Sequence, residues 1–226
     1  MLRVLVLIFA FCLPGLSVAA QDAFFCDDAG KLLVYERHYV KDGRLKWRHE
    51  MSIRSVSQSD EGEFVRYSSS FFKPSGALMY GGPVKLEALV GANGDVSMDL
   101  ALSLASVFSN YVGENAVDFE ECLSLLPSSM KPGDVLKDAQ FVVSVLGMKY
   151  RVAVTERSVL RNETLQTPAG EFDCVIVQEH KVEKGPGRNR ETTALTWYAR
   201  GVGMVRHDTY DKDMKLETSE VLTSIR

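Results

Sequence analysis

Three ionisable side chains and one tryptophan are brought together by a predicted β-hairpin. Glu36 and His38 lie on its first strand, Trp47 and His49 on its second, and Asp42-Gly43 lies between the strands. Asp-Gly is a strong signal for a two-residue type I′ turn, which would pair His38 with Trp47 and Glu36 with His49. All four side chains would then share one face, where the Glu36 carboxylate would favour the charged form of His49. The spacing therefore predicts a polar site that could orient a ligand or transfer a proton.

The same four residues also have a purely structural interpretation. On a half-exposed strand, Glu36 and His49 would form an ordinary cross-strand pair, and such pairs perturb pKa values as catalytic groups do. The sequence favours this structural pair over acid–base chemistry. Glu36, His38, Trp47 and His49 remain the candidate ligand-binding residues.

Catalytic motifs elsewhere in the chain are incomplete. His49-Glu50 begins like a zinc-protease motif, but Ile53 stands where the second histidine is required. Residues 128–131 match SxxK, yet the SDN and KTG segments that accompany such a serine are missing. No GxSxG, P-loop or EF-hand motif occurs. We therefore expect no enzyme activity, no catalytic residue, no cofactor and no bound metal.

Residues 1–20 have the three regions of a secretory signal peptide. Arg3 provides a positive start, residues 4–13 are apolar, and Ala19 and Ala20 are small residues after either of which cleavage could occur. An apolar run of about ten residues is too short to span a bilayer. We expect a protein that is exported to the periplasm or the extracellular space and has no transmembrane span.

Loss of this leader would leave three of the four cysteines. Cys26, Cys122 and Cys174 form neither a CxxC motif nor a Cys/His zinc spacing. In an oxidising compartment, three cysteines allow at most one internal disulfide and leave one thiol. Their spacing leaves the choice of pair open.

The composition is that of an ordinary globular protein. Hydrophobic residues make up 46% and charged residues 25% of the 226 residues, and the formal net charge is −4. These values exclude an intrinsically disordered or collagen-like chain. Because there is no basic excess, we expect no nucleic-acid partner.

Apolar and polar residues alternate after residue 30, which is typical of strands with one buried face. Turn residues such as Asn93-Gly94 and Gly185-Pro186 separate the alternating runs. The pattern predicts one mainly β (β-rich α+β) domain over residues 21–226, built on a strongly curved antiparallel sheet. The predicted strands are 32–41, 45–54, 64–73, 78–80, 84–90, 141–146, 149–165, 172–182, 192–199, 204–210 and 215–225.

One segment has helical rather than strand periodicity. Asp99 can cap its start and Gly113 can end it, so we predict a short amphipathic helix over residues 99–113 that packs on the sheet. Its apolar face comprises Leu100, Leu104, Val107, Phe108 and Tyr111.

Aromatic residues are spread along the predicted strands. In a closed sandwich they would form the core, whereas in an open curved sheet they could line a concave groove for an acyl chain. The outcome depends on whether the helix fills the concavity. These residues are Trp47, Phe64, Phe71, Phe72, Tyr80, Phe141, Tyr150 and Trp197.

Two stretches resemble the TapB-like family of secreted bacterial proteins. Residues 167–174 read TPAGEFDC and residues 197–205 read WYARGVGMV, which are similar to TPAGTFDC and WYAKGVGLV in that family. The predicted turns at 39–45 and 210–216 are similar to its turns as well. The resemblance implies a curved antiparallel sheet related to the half-barrel of bacterial lipoprotein carriers. It implies no known activity and no catalytic residues.

These observations favour a non-catalytic binding module of the cell envelope. We expect it to hold a lipid, an acyl chain or another apolar ligand in the concave face of its sheet. The alternative is a structural or assembly partner whose sheet edge binds another envelope protein. An enzyme would need the group of Glu36, His38 and His49, or a free cysteine, in a cleft with a nucleophile in reach.

Overall fold

The computed structural model describes residues 22–226, so the predicted signal peptide lies outside the described residues. Within them the chain forms one antiparallel sheet of thirteen strands, in the order β6-β8-β9-β10-β11-β12-β13-β1-β2-β3-β4-β5-β7. The strands are β1 Leu32–Tyr39, β2 Leu45–Ser59, β3 Gly62–Phe72, β4 Val84–Gly91, β5 Val96–Asp99, β6 Val117–Phe119, β7 Leu123–Leu126, β8 Ala139–Val145, β9 Met148–Thr167, β10 Gly170–Gly185, β11 Arg188–Ala199, β12 Gly203–Tyr210 and β13 Leu216–Ile225.

The sheet curls round on itself without closing into a barrel. Phe71 on β3 and Tyr150 on β9 line the same cavity, although six strands separate β3 from β9 in the sheet. A sheet can bring such distant strands together only by curving strongly, as the right-handed twist of strands permits. The curved antiparallel sheet predicted from the alternating pattern is confirmed.

Helix α1, Leu100–Val112, confirms the predicted helix and its caps. Oδ1 of Asp99 accepts hydrogen bonds from the backbone N–H groups of Ala101 (2.9 Å) and Leu102 (3.2 Å). Gly113 ends the helix with φ 85°, a backbone conformation that glycine adopts without strain. The helix lies against β4 and β7 near one end of the sheet and against β6 and β8 at the other. It therefore covers the gap between the two ends.

The chain itself crosses the same gap. β6 pairs with β8 at one end of the sheet, and β7, only three residues further on, pairs with β5 at the other. Cys122, in the short connection, donates its backbone N–H to Asp99 (3.0 Å), and its Sγ lies 3.7 Å from the carbonyl oxygen of Gln140. The connection and α1 together hold the two ends in proximity.

Several predicted elements differ from the structure. Residues 78–80 form no strand, because only Leu78 pairs, in a single bridge with Phe72. The short strands β5, β6 and β7 were not predicted, because three or four residues are too few to show the alternation of apolar and polar side chains. Leu123 and Leu125 on β7 are moreover exposed, which breaks the usual link between apolar character and burial.

The three cysteines of the described chain are free thiols: Cys26 and Cys174 are buried, and Cys122 is partly exposed. The disulfide that the sequence allowed is therefore not formed among them. Cys26 belongs to an N-terminal segment that packs into the main hydrophobic core. There the ring of Phe25 meets that of Tyr67 edge to face at 5.3 Å. The carbonyl oxygen of Ala23 accepts a hydrogen bond from the N–H of Gly201 (2.8 Å).

Candidate ligand-binding site

The first predicted hairpin has a different register from the expected one. Tyr35 pairs with His49 and Arg37 with Trp47, so the expected pairs of Glu36 with His49 and of His38 with Trp47 are wrong. The N–H of Tyr39 bonds to the carbonyl of Arg44, so the loop has four residues instead of two. The longer loop alone would still leave Glu36, His38 and His49 on one face. It moves the pairing by two positions, and strand side chains alternate with a period of two.

A β-bulge accounts for the change of face. The register shifts by one residue between Arg37 and His38, and a shift of one moves side chains to the opposite face. Glu36 and His38 consequently lie on the face opposite His49, half-exposed, with 3.7 Å between Oε2 of Glu36 and Nε2 of His38. The structure therefore separates the four predicted site residues into two groups, and a ligand role for each stays a prediction.

His49 is buried on the concave face in a polar network. Its ring stacks between those of Phe71 (4.3 Å between centroids) and Tyr35 (5.1 Å). Its Nδ1 lies 3.1 Å from Oε1 of Glu220, and its Nε2 lies 3.0 Å from Oγ of Ser69. Glu220 thus takes the position beside His49 that the sequence assigned to Glu36.

Glu220 is an ionised carboxylate in this network. Burial by itself raises its pKa, but the hydrogen bond from His49 and the positive charge of Arg37 outweigh burial and lower the pKa to about 2. Nε of Arg37 donates to Oε2 at 2.7 Å. Because an ionised carboxylate only accepts hydrogen bonds, Nδ1 of His49 carries a hydrogen. In the neutral ring, Nε2 then accepts the hydroxyl hydrogen of Ser69.

Ser69, His49 and Glu220 have the atomic order of a hydroxyl–imidazole–carboxylate relay. Acyl transfer also needs donors for the oxyanion, usually backbone N–H groups. Ser69 pairs with Met51 on β2 and with Val84 on β4, where the β3–β4 ladder ends; it lies within a strand rather than at a helix N-terminus or backbone nest, where pairs of such donors are found. The arrangement therefore fixes the orientation of the Ser69 hydroxyl at the wall of a cavity.

This cavity, the outer chamber, has a volume of 560 Å³ and lies between α1 and the concave face. Such a volume lies within the range of small-molecule sites, about 300–1,000 Å³. Helix α1 therefore does not fill the concavity. Polar groups at its wall are Ser69, Ser103, Glu183, Lys184 and Arg188; the apolar wall consists of Phe71, Tyr80, Val84, Leu86, Leu104, Val107, Phe108, Tyr150 and Val152.

A second cavity of 320 Å³, the inner chamber, adjoins the first. Ser103, Leu104, Val107, Val152 and Glu183 line both chambers. The inner chamber has further apolar walls, the buried guanidinium of Arg157 and the partly buried carboxylate of Glu179. These lining residues include Met98, Leu126, Val154, Tyr198, Arg157 and Glu179.

Three of the eight aromatic residues predicted to line a groove do line the outer chamber. Phe71, Tyr80 and Tyr150 line the outer chamber. Trp47 lies next to this group, with its ring edge to face with Phe71 at 6.2 Å. Trp197 lies outside both chambers, where its Nε1 donates to Oε1 of Glu163 at 3.3 Å.

A separate groove of 720 Å³ runs past Cys174. Burial, aided by the nearby negative charges of Asp173 and Glu163, raises the pKa of this thiol to about 11. A thiol must be deprotonated to act as a nucleophile, so Cys174 is held in its unreactive form. The raised pKa therefore disfavours a role for Cys174 as a nucleophile in this groove.

Five residues of these polar clusters were missed from the sequence: Arg37, Ser69, Arg157, Glu179 and Glu220. A signal existed for Glu220, because Thr218, Glu220 and Leu222 alternate in phase and all three are buried. A charged residue in phase with a buried leucine indicates a buried polar network. Arg157 follows Glu156, whose φ of 55° accompanies a register shift between β9 and β10, and no short pattern announces such a shift.

Residues 22–226 contain no group of three or more His, Cys, Asp or Glu side chains placed to hold a metal ion. No helix in this part of the chain is long and apolar enough to cross a membrane.

Fold and cavity together define a class of protein, in which a curled antiparallel sheet carries a cavity beneath one covering helix. The DUF3108-like family model matches residues 29–222. The chain therefore belongs to the DUF3108-like family. No curated protein matches it.

Two solved structures are similar to the chain. One, from Bacteroides fragilis, is provisionally described as an exported protein with a YmcC-like fold; it has a TM-score of 0.73 and 22% identity, over 91% of this chain and 99% of that one. The other, from Parabacteroides distasonis, is provisionally described as a lipoprotein; it has a TM-score of 0.74 with the same identity and coverage. At this identity the likeness shows the fold. These matches do not carry the TapB-like name, which stays a prediction.

Proposed function

We propose that the protein is an exported binding module that holds a lipid, an acyl chain or another apolar ligand in the outer chamber and performs no catalysis. One observation carries the proposal: the 560 Å³ space that α1 leaves open against the concave face. Apolar side chains from α1, β3, β4 and β9 surround this space, so an acyl chain would exchange water for apolar contacts there. Burial of apolar area is the main source of affinity in such sites, at about 25 cal/mol per Å².

The site supports binding better than reaction. Ser69 offers a hydroxyl at the cavity wall, but it lies within a strand rather than at a helix N-terminus or backbone nest that would supply the pair of N–H donors that acyl transfer needs. Cys174 lies away from the chambers and its raised pKa keeps it protonated. A fixed hydroxyl and an apolar wall are the features of a site that orients a bound molecule.

Export is part of this proposal. Residues 1–20 have the sequence of a signal peptide, and the two similar structures are provisionally described as an exported protein and a lipoprotein. Expression of the full chain in a bacterium, followed by intact-mass measurement of the periplasmic and culture fractions, tests it. We expect a mature protein that begins after Ala19 or Ala20. Recovery of uncleaved protein in the cytoplasm would contradict export.

Native mass spectrometry of the purified protein tests ligand binding. We expect an adduct of amphiphile mass that organic extraction removes and that added fatty acid restores. In Val107→Trp the larger ring fills the outer chamber, so the adduct should be lost. Val112→Trp is the matched control, because Val112 lies on the same helix, is 39% exposed and does not line the chamber. Equal uptake by the two variants would refute this ligand site.

A second candidate, a partner for another envelope protein, rests on the two sheet edges. Phe119 on β6 and Leu123 and Leu125 on β7 are between 39% and 54% exposed, beside strand edges that can accept another strand. This candidate predicts that a photo-crosslinker at position 123 captures one defined protein in intact cells. Position 135, on an exposed loop, is the control, and equal capture at both positions would contradict the candidate.

A further inference from the structure

The inner chamber contains a buried cation whose hydrogen bonds are incomplete. Arg157 is only 3% exposed. Its Nη1 donates to the carbonyl oxygen of Lys137 at 2.8 Å, which anchors the loop before β8. Its Nε has no hydrogen-bond partner, and the nearest carboxylate oxygen, Oε2 of Glu179, lies 3.7 Å away. A buried donor left without an acceptor costs free energy, so such a group calls for an explanation.

The counter-ion of Arg157 is weak. Burial raises the pKa of Glu179, and the positive charges of Arg157 and Lys181 offset this only in part. Lys181, the other cation of the inner chamber, already pairs with Oε1 of Glu183 at 3.1 Å. Arg188, on the outer chamber, donates to Oε2 of the same carboxylate. Lys184, also at the outer chamber, is exposed to solvent, so Arg157 is the buried cation of the two chambers with capacity left for an anion.

The walls around Arg157 would strengthen such a contact. Leu126, Val154 and Tyr198 line the inner chamber beside it, and charges interact more strongly where water is excluded. Arginine also matches a carboxylate in shape, because its planar N–H groups can bond both oxygens. The adjoining outer chamber supplies the apolar space that a chain attached to this carboxylate would need.

We propose that Arg157 binds the carboxylate of an amphipathic ligand whose chain lies in the outer chamber. This inference rests on the proposed function, since it names the head group of the molecule held there. The carboxylate would bond the guanidinium of Arg157, whose Nε–H has no acceptor in the protein, and Glu179 would be its competitor for that cation. Ligands with the same chain and an uncharged head would lack this contact.

Isothermal titration of the delipidated wild-type protein with decanoate and with decanol, at mildly alkaline pH, tests the inference. We expect decanoate to bind about tenfold more tightly, the usual effect of one charge-assisted hydrogen bond. Equal affinity for the two would overturn the inference and leave the proposed function in place. If neither compound binds, the proposed function itself fails.

Variants locate the head group. Arg157→Gln should bring decanoate to the affinity of decanol, whereas Arg188→Gln, on the outer chamber, should keep the preference. The opposite result would place the carboxylate at Arg188 and overturn the assignment. If Arg157→Gln does not fold, a second variant, Glu179→Gln, tests the same contact from the side of the competing carboxylate. Removal of the competing carboxylate should tighten decanoate binding and leave decanol binding unchanged, and an unchanged affinity for decanoate would count against Arg157.

Discussion

His49 and Glu220 lie on strands that are not neighbours, because β1 runs between β2 and β13, yet Nδ1 of His49 lies 3.1 Å from Oε1 of Glu220. The contact passes across β1 on the concave face, where Arg37 of that strand bonds the other carboxylate oxygen at 2.7 Å. One buried carboxylate therefore joins three strands. The bulge at Lys46 of β2 sets up this arrangement, because it places Arg37 rather than Glu36 on the face of His49.

Because of Glu220, the free energy of unfolding should decrease as the pH becomes acidic. Its pKa is about 2 in the folded protein against an ordinary value of 4.5, so its stabilising effect is complete above about pH 4.5 and is lost as the pH falls towards 2. The shift corresponds to about 3 kcal/mol. Urea unfolding across this range should show the loss in the wild type. Glu220→Gln should be destabilised by about 3 kcal/mol or more at neutral pH and lack this part of the pH dependence.

Glu36→Gln is the control for that experiment, since Glu36 is half-exposed on the opposite face. Its unfolding curves should follow those of the wild type at every pH. A Glu220→Gln variant with the full acid dependence of the wild type would show that another carboxylate is responsible.

Asp99 is expected to stabilise both the helix and the gap between the sheet ends. Its Oδ1 accepts the N–H groups of Ala101, Leu102 and Cys122, so Asp99→Ala would remove three acceptor contacts at once. Loss of an N-cap costs about 1 kcal/mol, and the buried donors add to this. We expect a fall of about 1–3 kcal/mol in thermal or urea unfolding. Asp99→Asn, which keeps the acceptor oxygen, should recover most of it.

Ser69 is expected to resist serine-directed reagents. A fluorophosphonate needs an activated hydroxyl and an oxyanion site, and Ser69 lies within a strand rather than at a helix N-terminus or backbone nest that would supply oxyanion donors. Intact-mass measurement after prolonged incubation should therefore show no adduct. An adduct that is absent in Ser69→Ala would contradict the proposed lack of catalysis.

The three thiols within residues 22–226 are expected to react in a fixed order. Cys122 is partly exposed, whereas Cys26 and Cys174 are buried and burial raises the pKa of both. Iodoacetamide should therefore modify Cys122 first in the native protein, with the other two reacting only after denaturation. Peptide mapping at successive times measures the order. Early modification of Cys174 would contradict the protonated, buried thiol described above.

The sequence predicted what depends on local order. Alternation of side chains indicated the long strands, and Asp99 and Gly113 marked both ends of α1, because caps act within one helical turn. The sequence correctly predicted a carboxylate beside His49, but it named Glu36 where the structure has Glu220. The bulge at Lys46 of β2, opposite Arg37 and His38, has no signature in neighbouring residues, and one residue of shift transfers Glu36 to the other face.

The sequence alone therefore determined a β-rich chain with one capped helix, since periodicity and capping are properties of adjacent residues. Tertiary structure decided which side chains meet. Glu220 reaches His49 across β1, and Arg157 reaches the inner chamber at a register shift, through contacts between residues far apart in the chain. Whether α1 would fill the concavity was likewise open, because the space beneath a helix depends on how far the sheet curls. The 560 Å³ outer chamber is the result of that curl.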